Sequence, residues 1–230
     1  MKKNLLVVAA HPDDEVLGCF ATVAKMIKDG WTAYVLILSG GKTSRGKVDQ
    51  AELDRLVREM KDANELIGVK KVFQADFPDN AFDSVPLLNI VKEIERVKEV
   101  TRPMIVITHH VGDMNIDHQL THRAVLTATR PMLDECVQTV LSMEIPSSTE
   151  WNSFNQNSIF IPNVFVDVSS TIDIKVAAMG KYRSELRKYP HPRSLRYIKE
   201  LASINGKRVG LRYCENFHLV RMLRRGGEIL

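Results

Sequence analysis

The chain has 230 residues, 44% hydrophobic and 26% charged, with a formal net charge of +4. That length supports one domain with a sizeable core, and no run reaches the roughly 20 apolar residues a membrane-crossing helix needs. Cys19, Cys136 and Cys214 are scattered, odd in number and without metal spacing, which argues against a disulfide framework and reads as small core residues.

Met1-Lys2-Lys3 leads directly into an apolar segment with no signal-peptide cleavage pattern, so a soluble, cytoplasmic protein is expected. The net charge hides an asymmetry. Residues 175–230 hold 14 Lys and Arg against 4 Glu, whereas the rest of the chain holds 18 basic against 24 acidic residues. Such a basic tail either attracts a phosphate-bearing substrate or anionic surface, or simply presents solvated helix faces. Nucleic acid is not an expected partner, because no binding module is visible and no aromatics interleave with the cations. A homo-oligomer is left open.

Residues 5–10, 32–38, 72–75 and 104–108 are short apolar runs of the kind found in strands covered on both faces. Helical periods at 15–28, 50–66 and 85–100 alternate with them. A helix over about 117–128, strands over 139–144 and 163–168, a helix from Thr171 and another from about Ser194 follow. Strand alternating with helix predicts an α/β, Rossmann-like fold: a mostly parallel sheet with helices on both faces. The whole chain is read as one domain, with residues 1–135 as its core and residues 136–230 helping to close a pocket. Ligands in such sheets bind beyond the carboxyl ends of the strands. His11 to Glu15, Ser39 to Arg45, Asp76 to Asp83 and His109 to His118 all fall there.

Residues 11–15 read His-Pro-Asp-Asp-Glu at the first strand-to-helix turn. Three carboxylates crowded there repel one another, and burying an uncompensated charge costs several kcal/mol, so a divalent cation among them is expected. Imidazole with carboxylate suits zinc, whose catalytic sites take about three protein ligands. His11 and Asp14 supply two, leaving Asp13 as a base toward a bound water. The competing reading makes Asp13 or Asp14 a helix cap. A third ligand must come from another strand end, and residues 112–122, with His118 and His122 one helical turn apart, are the source.

His-Pro-Asp-Asp-Glu after the first strand, with Asn115-Ile116-Asp117-His118 opening a later helix, resembles the PIG-L/LmbE family of zinc-dependent N-deacetylases of amino sugars. Pro78-Asp79-Asn80, the 109–122 block, residues 144–151 and Pro190-His191-Pro192-Arg193-Ser194 extend the likeness. The resemblance implies that His11, Asp14 and His118 bind Zn2+ and that Asp13 is the general base. It also exposes a departure: many members have a histidine where this chain has Asn115. Asn115 can donate to an oxyanion but delivers no proton. Proton delivery then falls to Asp13, His191, His110 or His122.

Around this centre the readings stay double. Asp117 caps the helix or orients a ligand. His122 is a fourth ligand or a packed histidine satisfied by a carbonyl. His109 and His110 serve the site or a strand-end hydrogen bond. Arg45 contacts a sugar hydroxyl or phosphate, or belongs to a glycine turn. Asp79, Asn80 and Asp83 recognise hydroxyls or form a turn, and Arg55 with Glu59 reads as an exposed ion pair. The prolines around His191 hold it and Arg193 in a stiff loop suited to reach a substrate. Tyr182 reads as helix surface. The expected activity is metal-assisted removal of an N-acetyl or other short N-acyl group from an amino sugar, free or nucleotide-linked. The rivals are a deformylase or thiol-conjugate amidase, and a catalytically altered sugar- or metal-binding module.

Overall fold

Strands form where the sequence runs apolar: β1 (Asn4–Ala9), β2 (Thr32–Ser39), β3 (Lys71–Phe77), β4 (Ile105–His109) and β5 (Thr139–Met143). Between them lie α1 (Asp14–Lys28), α2 (Gln50–Ile67), α3 (Leu87–Thr101) and α4 (Ile116–Ala128); β6 (Val164–Asp167), α5 (Ile172–Met179), α6 (Leu195–Lys207) and β7 (Cys214–Met222) follow. The structure, a computed structural model, describes residues 3–41, 49–152 and 159–224. One seven-stranded sheet runs in the order β3-β2-β1-β4-β5-β7-β6. Its first five strands are mutually parallel, and β7 is antiparallel to both β5 and β6. This is the mostly parallel, Rossmann-like α/β architecture expected from the alternation of periods.

β1 shows why its segment carries no polar alternation. Leu5, Val7 and Ala9 face one core with α1, α2 and the end of α5, while Leu6, Val8 and Ala10 face the other with α3 and α4. Both faces are dry, so both must be apolar. α2 stops at Gly68, whose φ of 90° is adopted most readily by a residue without a Cβ. Among the described residues no helix is long and apolar enough to cross a membrane. All three cysteines are free: Cys19 and Cys214 are buried, while Cys136 is half-buried.

β7 was not anticipated. Its segment carries Glu215, Asn216, His218 and Arg221 among the apolar residues, which hides any strand period. Glu215 is nonetheless buried, and partners explain how. Its carboxylate accepts from the Lys175 ammonium at 2.5 Å and from the backbone N–H groups of Ala21 and Thr22 at 3.2 and 2.6 Å. Lys175 also donates to the Leu17 carbonyl at 2.8 Å. One ion pair thereby ties β7 and α5 to the middle of α1. Part of the basic tail is paired in this way: Lys175, Arg193, Arg196 and Lys199 each lie within 3.3 Å of a carboxylate oxygen.

Two surface readings are corrected. Arg55 pairs with Glu52, at 3.9 Å, and Glu59 is buried, accepting from the Ser184 N–H and hydroxyl at 3.2 and 2.7 Å. Tyr182 is fully buried rather than on a helix surface.

Glu144 follows β5 and is partly buried. Burial, reinforced by the charge of Glu150, pushes its pKa up from 4.5 to about 7. The fold favours the protonated acid, so the native state binds the extra proton between those two values and stability falls as pH rises through that window. Glu144→Gln is expected to leave Tm unchanged at pH 4.5 and to raise it at pH 8. Melting curves at the two pH values check this; an unchanged Tm at pH 8 contradicts it.

Candidate metal centre and active site

The turn from β1 into α1 places Asp13 at φ 95°. L side chains rarely adopt that backbone, at a cost of order 1–3 kcal/mol. The turn sends three consecutive carboxylates in three directions, and each meets a different compensator. Asp14 turns to the His11 and His118 imidazoles. Asp13 Oδ2 lies 3.3 Å from Arg193 Nη1. Glu15 Oε1 accepts from the Tyr182 hydroxyl at 2.5 Å and from Asn64 Nδ2 at 3.0 Å. Of the three carboxylates only Asp14 belongs to the ligand triangle, so an ion there would compensate Asp14 alone, while Asp13 and Glu15 find their own partners. The capping alternative also falls for Asp13, which makes no side-chain cap hydrogen bond.

Among the described residues two groups could hold a metal ion: His11, Asp14 and His118, and His11, Asp79 and Asp117. In the first, His11 Nδ1 is 3.3 Å from His118 Nε2 and 3.4 Å from Asp14 Oδ2, and His118 Nε2 is 3.2 Å from Asp14 Oδ2. A tetrahedral zinc with bonds of about 2.0–2.1 Å sets its ligand atoms roughly 3.3 Å apart. The triangle fits. Asp14 Oδ1 is buried without a hydrogen-bond partner, an orphan a cation would satisfy.

The second group reads better as support for the first. Asp117 is fully buried; its Oδ2 accepts from His11 Nε2 at 3.0 Å, and its Oδ1 accepts from the Phe82 N–H at 2.9 Å. Asp79 Oδ1 lies 3.4 Å from the same His11 nitrogen. A carboxylate on the far nitrogen fixes the tautomer and aims Nδ1 at the triangle. His118 is treated alike: its Nδ1 lies 3.1 Å from Asp113 Oδ1. Asp113 is in turn held by the hydroxyls of Ser148 and Thr149 and by the Asn115 N–H.

The electrostatics follow from this layout. Burial works against charged imidazoles, yet Asp117 and Asp14 outweigh it and hold the His11 pKa at about 9. Asp14 and Asp113 do the same for His118, at about 10. Burial likewise opposes ionisation of Asp14, but His118 and His11 keep its pKa well below the usual range. An ion bound by these imidazoles would displace their protons, so its binding would weaken in acid. Asp13 behaves oppositely: burial pushes its pKa well above the usual carboxylate range against the pull of Arg193.

His109, fully buried, stacks on His118 with centroids 3.9 Å apart, and its Nε2 accepts from the Ala10 N–H at 2.8 Å. Burial pushes its pKa down to about 3, so it is a neutral plate under a ligand.

The other sequence candidates are placed unevenly. Asn115 caps α4, its Oδ1 accepting from the Asp117 N–H at 2.8 Å, and its Nδ2 donates to Asn80 Oδ1 at 3.0 Å. Asn80 Nδ2 donates to Asp79 at 2.9 Å, so these three polar residues form one chain beside His11. Asp117 is buried against His11. Arg193 is engaged with Asp13 and donates through Nε to Ser147 at 3.0 Å. His191 stands apart from the histidine and aspartate cluster: its Nδ1 accepts from the Arg193 N–H at 3.1 Å and its ring meets Trp151 edge-on. His110 packs edge-on against Phe160 and His218. His122 donates from Nδ1 to the His109 carbonyl at 2.9 Å, the packed alternative rather than a fourth ligand. Arg45 lies outside the described residues. Asp113, Ser147, Ser148 and Thr149 were missed as individual site residues; the only signal was their position inside the two polar blocks at the strand ends.

A parallel sheet carrying a His-Asp-His cluster at its carboxyl rim defines a class of Rossmann-like proteins with a candidate metal centre. The PIG-L family model, described as GlcNAc-PI de-N-acetylase, matches residues 6–129, more than half of the chain, and the protein belongs to that family. Membership places it among N-deacetylases, enzymes that hydrolyse N-acetyl amides. It is 28% identical over 190 residues to the uncharacterized deacetylase YaiS of Escherichia coli K12, covering 80% of this chain and 92% of that one. It is 28% identical over 235 residues to a diacetylchitobiose deacetylase of Thermococcus kodakarensis, covering 95% and 83%. In fold it is similar to GalB, a 4-carboxy-2-hydroxymuconate hydratase of Pseudomonas putida KT2440, with a TM-score of 0.75, 23% identity and 99% of each chain covered. One fold hosts different reactions, so the chemistry must be argued from the site.

Proposed function

We propose that this protein is a zinc-dependent N-deacetylase acting on an N-acetylated amino sugar. The observation that carries the reading is the ligand triangle of His11, Asp14 and His118, whose edges of 3.2–3.4 Å match a tetrahedral zinc. Zinc, when bound, polarises an acyl oxygen and acidifies water. Asp13 takes the proton from the attacking water and returns it to the departing amine. Arg193, 3.3 Å from Asp13 Oδ2, faces the carboxylate that is assigned the base role. Asn115 Nδ2 gives one hydrogen to Asn80 Oδ1, and its second is assigned to the developing oxyanion. Asp79 and Asn80, beside His11, are assigned to substrate hydroxyls; His191 is left out of proton transfer.

Among the described residues, four of the 14 cations of the C-terminal region are paired with carboxylates, and a nucleotide-linked sugar is kept as one arm of the test. A panel of N-acetylglucosamine, N,N'-diacetylchitobiose and a nucleotide-linked N-acetylglucosamine, read by release of primary amine, tests the proposal. Amine release should vanish with a chelator and return with zinc. Stoichiometric zinc binding with no turnover of any N-acyl sugar would favour a binding module instead.

The supports of the ligands are tested separately. Asp113→Asn removes the charge facing His118 Nδ1 and is expected to weaken zinc binding about 10–100-fold. Zinc titration against a competing chelator measures it, and an unchanged affinity removes Asp113 from the site.

A further inference from the structure

We propose that Glu15, clamped by Tyr182 and Asn64, is a positioning residue that holds the Asp13 turn in place for proton transfer; this rests on the reading of Asp13 as the base. Glu15 is wholly buried on the first turn of α1 and lies outside the ligand triangle. Its side chain reaches back, and Oε2 accepts from the Asp13 N–H at 3.1 Å. The other oxygen takes the Tyr182 hydroxyl and Asn64 Nδ2. Asn64 stands on α2 and also donates to the Met60 carbonyl at 2.9 Å, and Tyr182 lies beyond α5. Three donors from three parts of the chain therefore converge on one carboxylate.

The physical need is specific. A non-glycine residue at φ 95° persists only where its surroundings over-determine it. The N–H at a helix start has no partner within the helix, and buried it must find one. Glu15 supplies that partner, while Tyr182 and Asn64 fix the carboxylate that does so. With the backbone pinned from this side, the Asp13 carboxylate faces Arg193. Asn64 thereby acts on Asp13 through Glu15, and Tyr182 does so through Glu15 and beside the Asp13 backbone itself, neither of them assigned to substrate.

A merely structural core carboxylate and a positioning carboxylate differ in what they move. The zinc-loaded full chain would be compared with Tyr182→Phe, which keeps shape and removes one donor, and Glu15→Gln, which sets an amide N–H among three donors. Displacing a reacting group by about an ångström costs up to roughly 10²-fold. The expected result is a kcat lower by about tenfold in Tyr182→Phe and about 100-fold in Glu15→Gln, with KM and zinc content unchanged. Hydrogen exchange at the Asp13 amide should quicken in both, while the amides later in α1 keep their protection. Wild-type kcat and wild-type Asp13 exchange in both variants overturn the proposal. So does a loss of kcat that merely follows loss of zinc or of protection along all of α1. If Asp13→Asn retains turnover, the base reading fails instead, and the exchange at Asp13 still decides whether Glu15 holds the turn.

Discussion

Asp13→Asn is expected to keep its zinc and to lose about 10²–10⁴-fold in kcat, the range for removing a general base. The amide is isosteric with the carboxylate but accepts no proton at neutral pH. The substitution spares the fold for three reasons. Asparagine tolerates positive φ at least as well as aspartate. The backbone N–H that Glu15 accepts is untouched. Arg193 retains Ser147 at 3.0 Å and Glu185 at 3.5 Å. Zinc stoichiometry with steady-state amine release checks it. Full activity would remove Asp13 from proton transfer, and lost zinc would make it part of the ion's own support.

Lys175→Met is expected to destabilise the protein by about 3–5 kcal/mol, because it leaves Glu215 as a buried charge without its ammonium. For a chain of this size that corresponds to a Tm lower by roughly 6–20 °C. Replacing a buried pair by apolar residues is often neutral elsewhere. Here Lys175→Met with Glu215→Leu should recover only part of the loss, since Glu215 also accepts from the Ala21 and Thr22 N–H groups. Thermal melts of the single and double variants decide the matter. A Tm within about 2 °C of the parent in Lys175→Met would show that the pair contributes little.

Both experiments probe parts of the chain that the sequence exposes very differently. The apolar runs of β1 to β5 and the periods between them declare a parallel sheet with helices on both faces, because a strand covered twice has no polar side to show. β7 is concealed for a physical reason: its buried Glu215 is compensated by Lys175, 40 residues away in sequence. Tyr182 was read as surface for the same kind of reason, its one polar atom being satisfied by Glu15 across 167 residues.

The ligand types of the candidate centre were legible because zinc chemistry restricts them to few residues, and two short blocks supply them. Their supports were not legible. Asp113 faces His118 only after α4 begins, and Ser148 and Thr149 reach Asp113 from the far side of β5. Nor does the pattern His-Pro-Asp-Asp-Glu say that its carboxylates part company. Adjacent charges in a sequence look like one cluster.

The order of residues alone thus determined the α/β architecture and the strand ends that carry the chemistry, since hydrophobic period and donor type are local properties; it offered His11 and Asp14 as ligands and left His118 and His122 side by side, with the family resemblance pointing to His118. Only the tertiary structure decided that Asp13 meets Arg193, Asp14 the histidines and Glu15 a neutral cage of donors. Compensating a buried charge requires partners within hydrogen-bond reach, and folding alone brings Arg193, His118 and Tyr182 to the same turn.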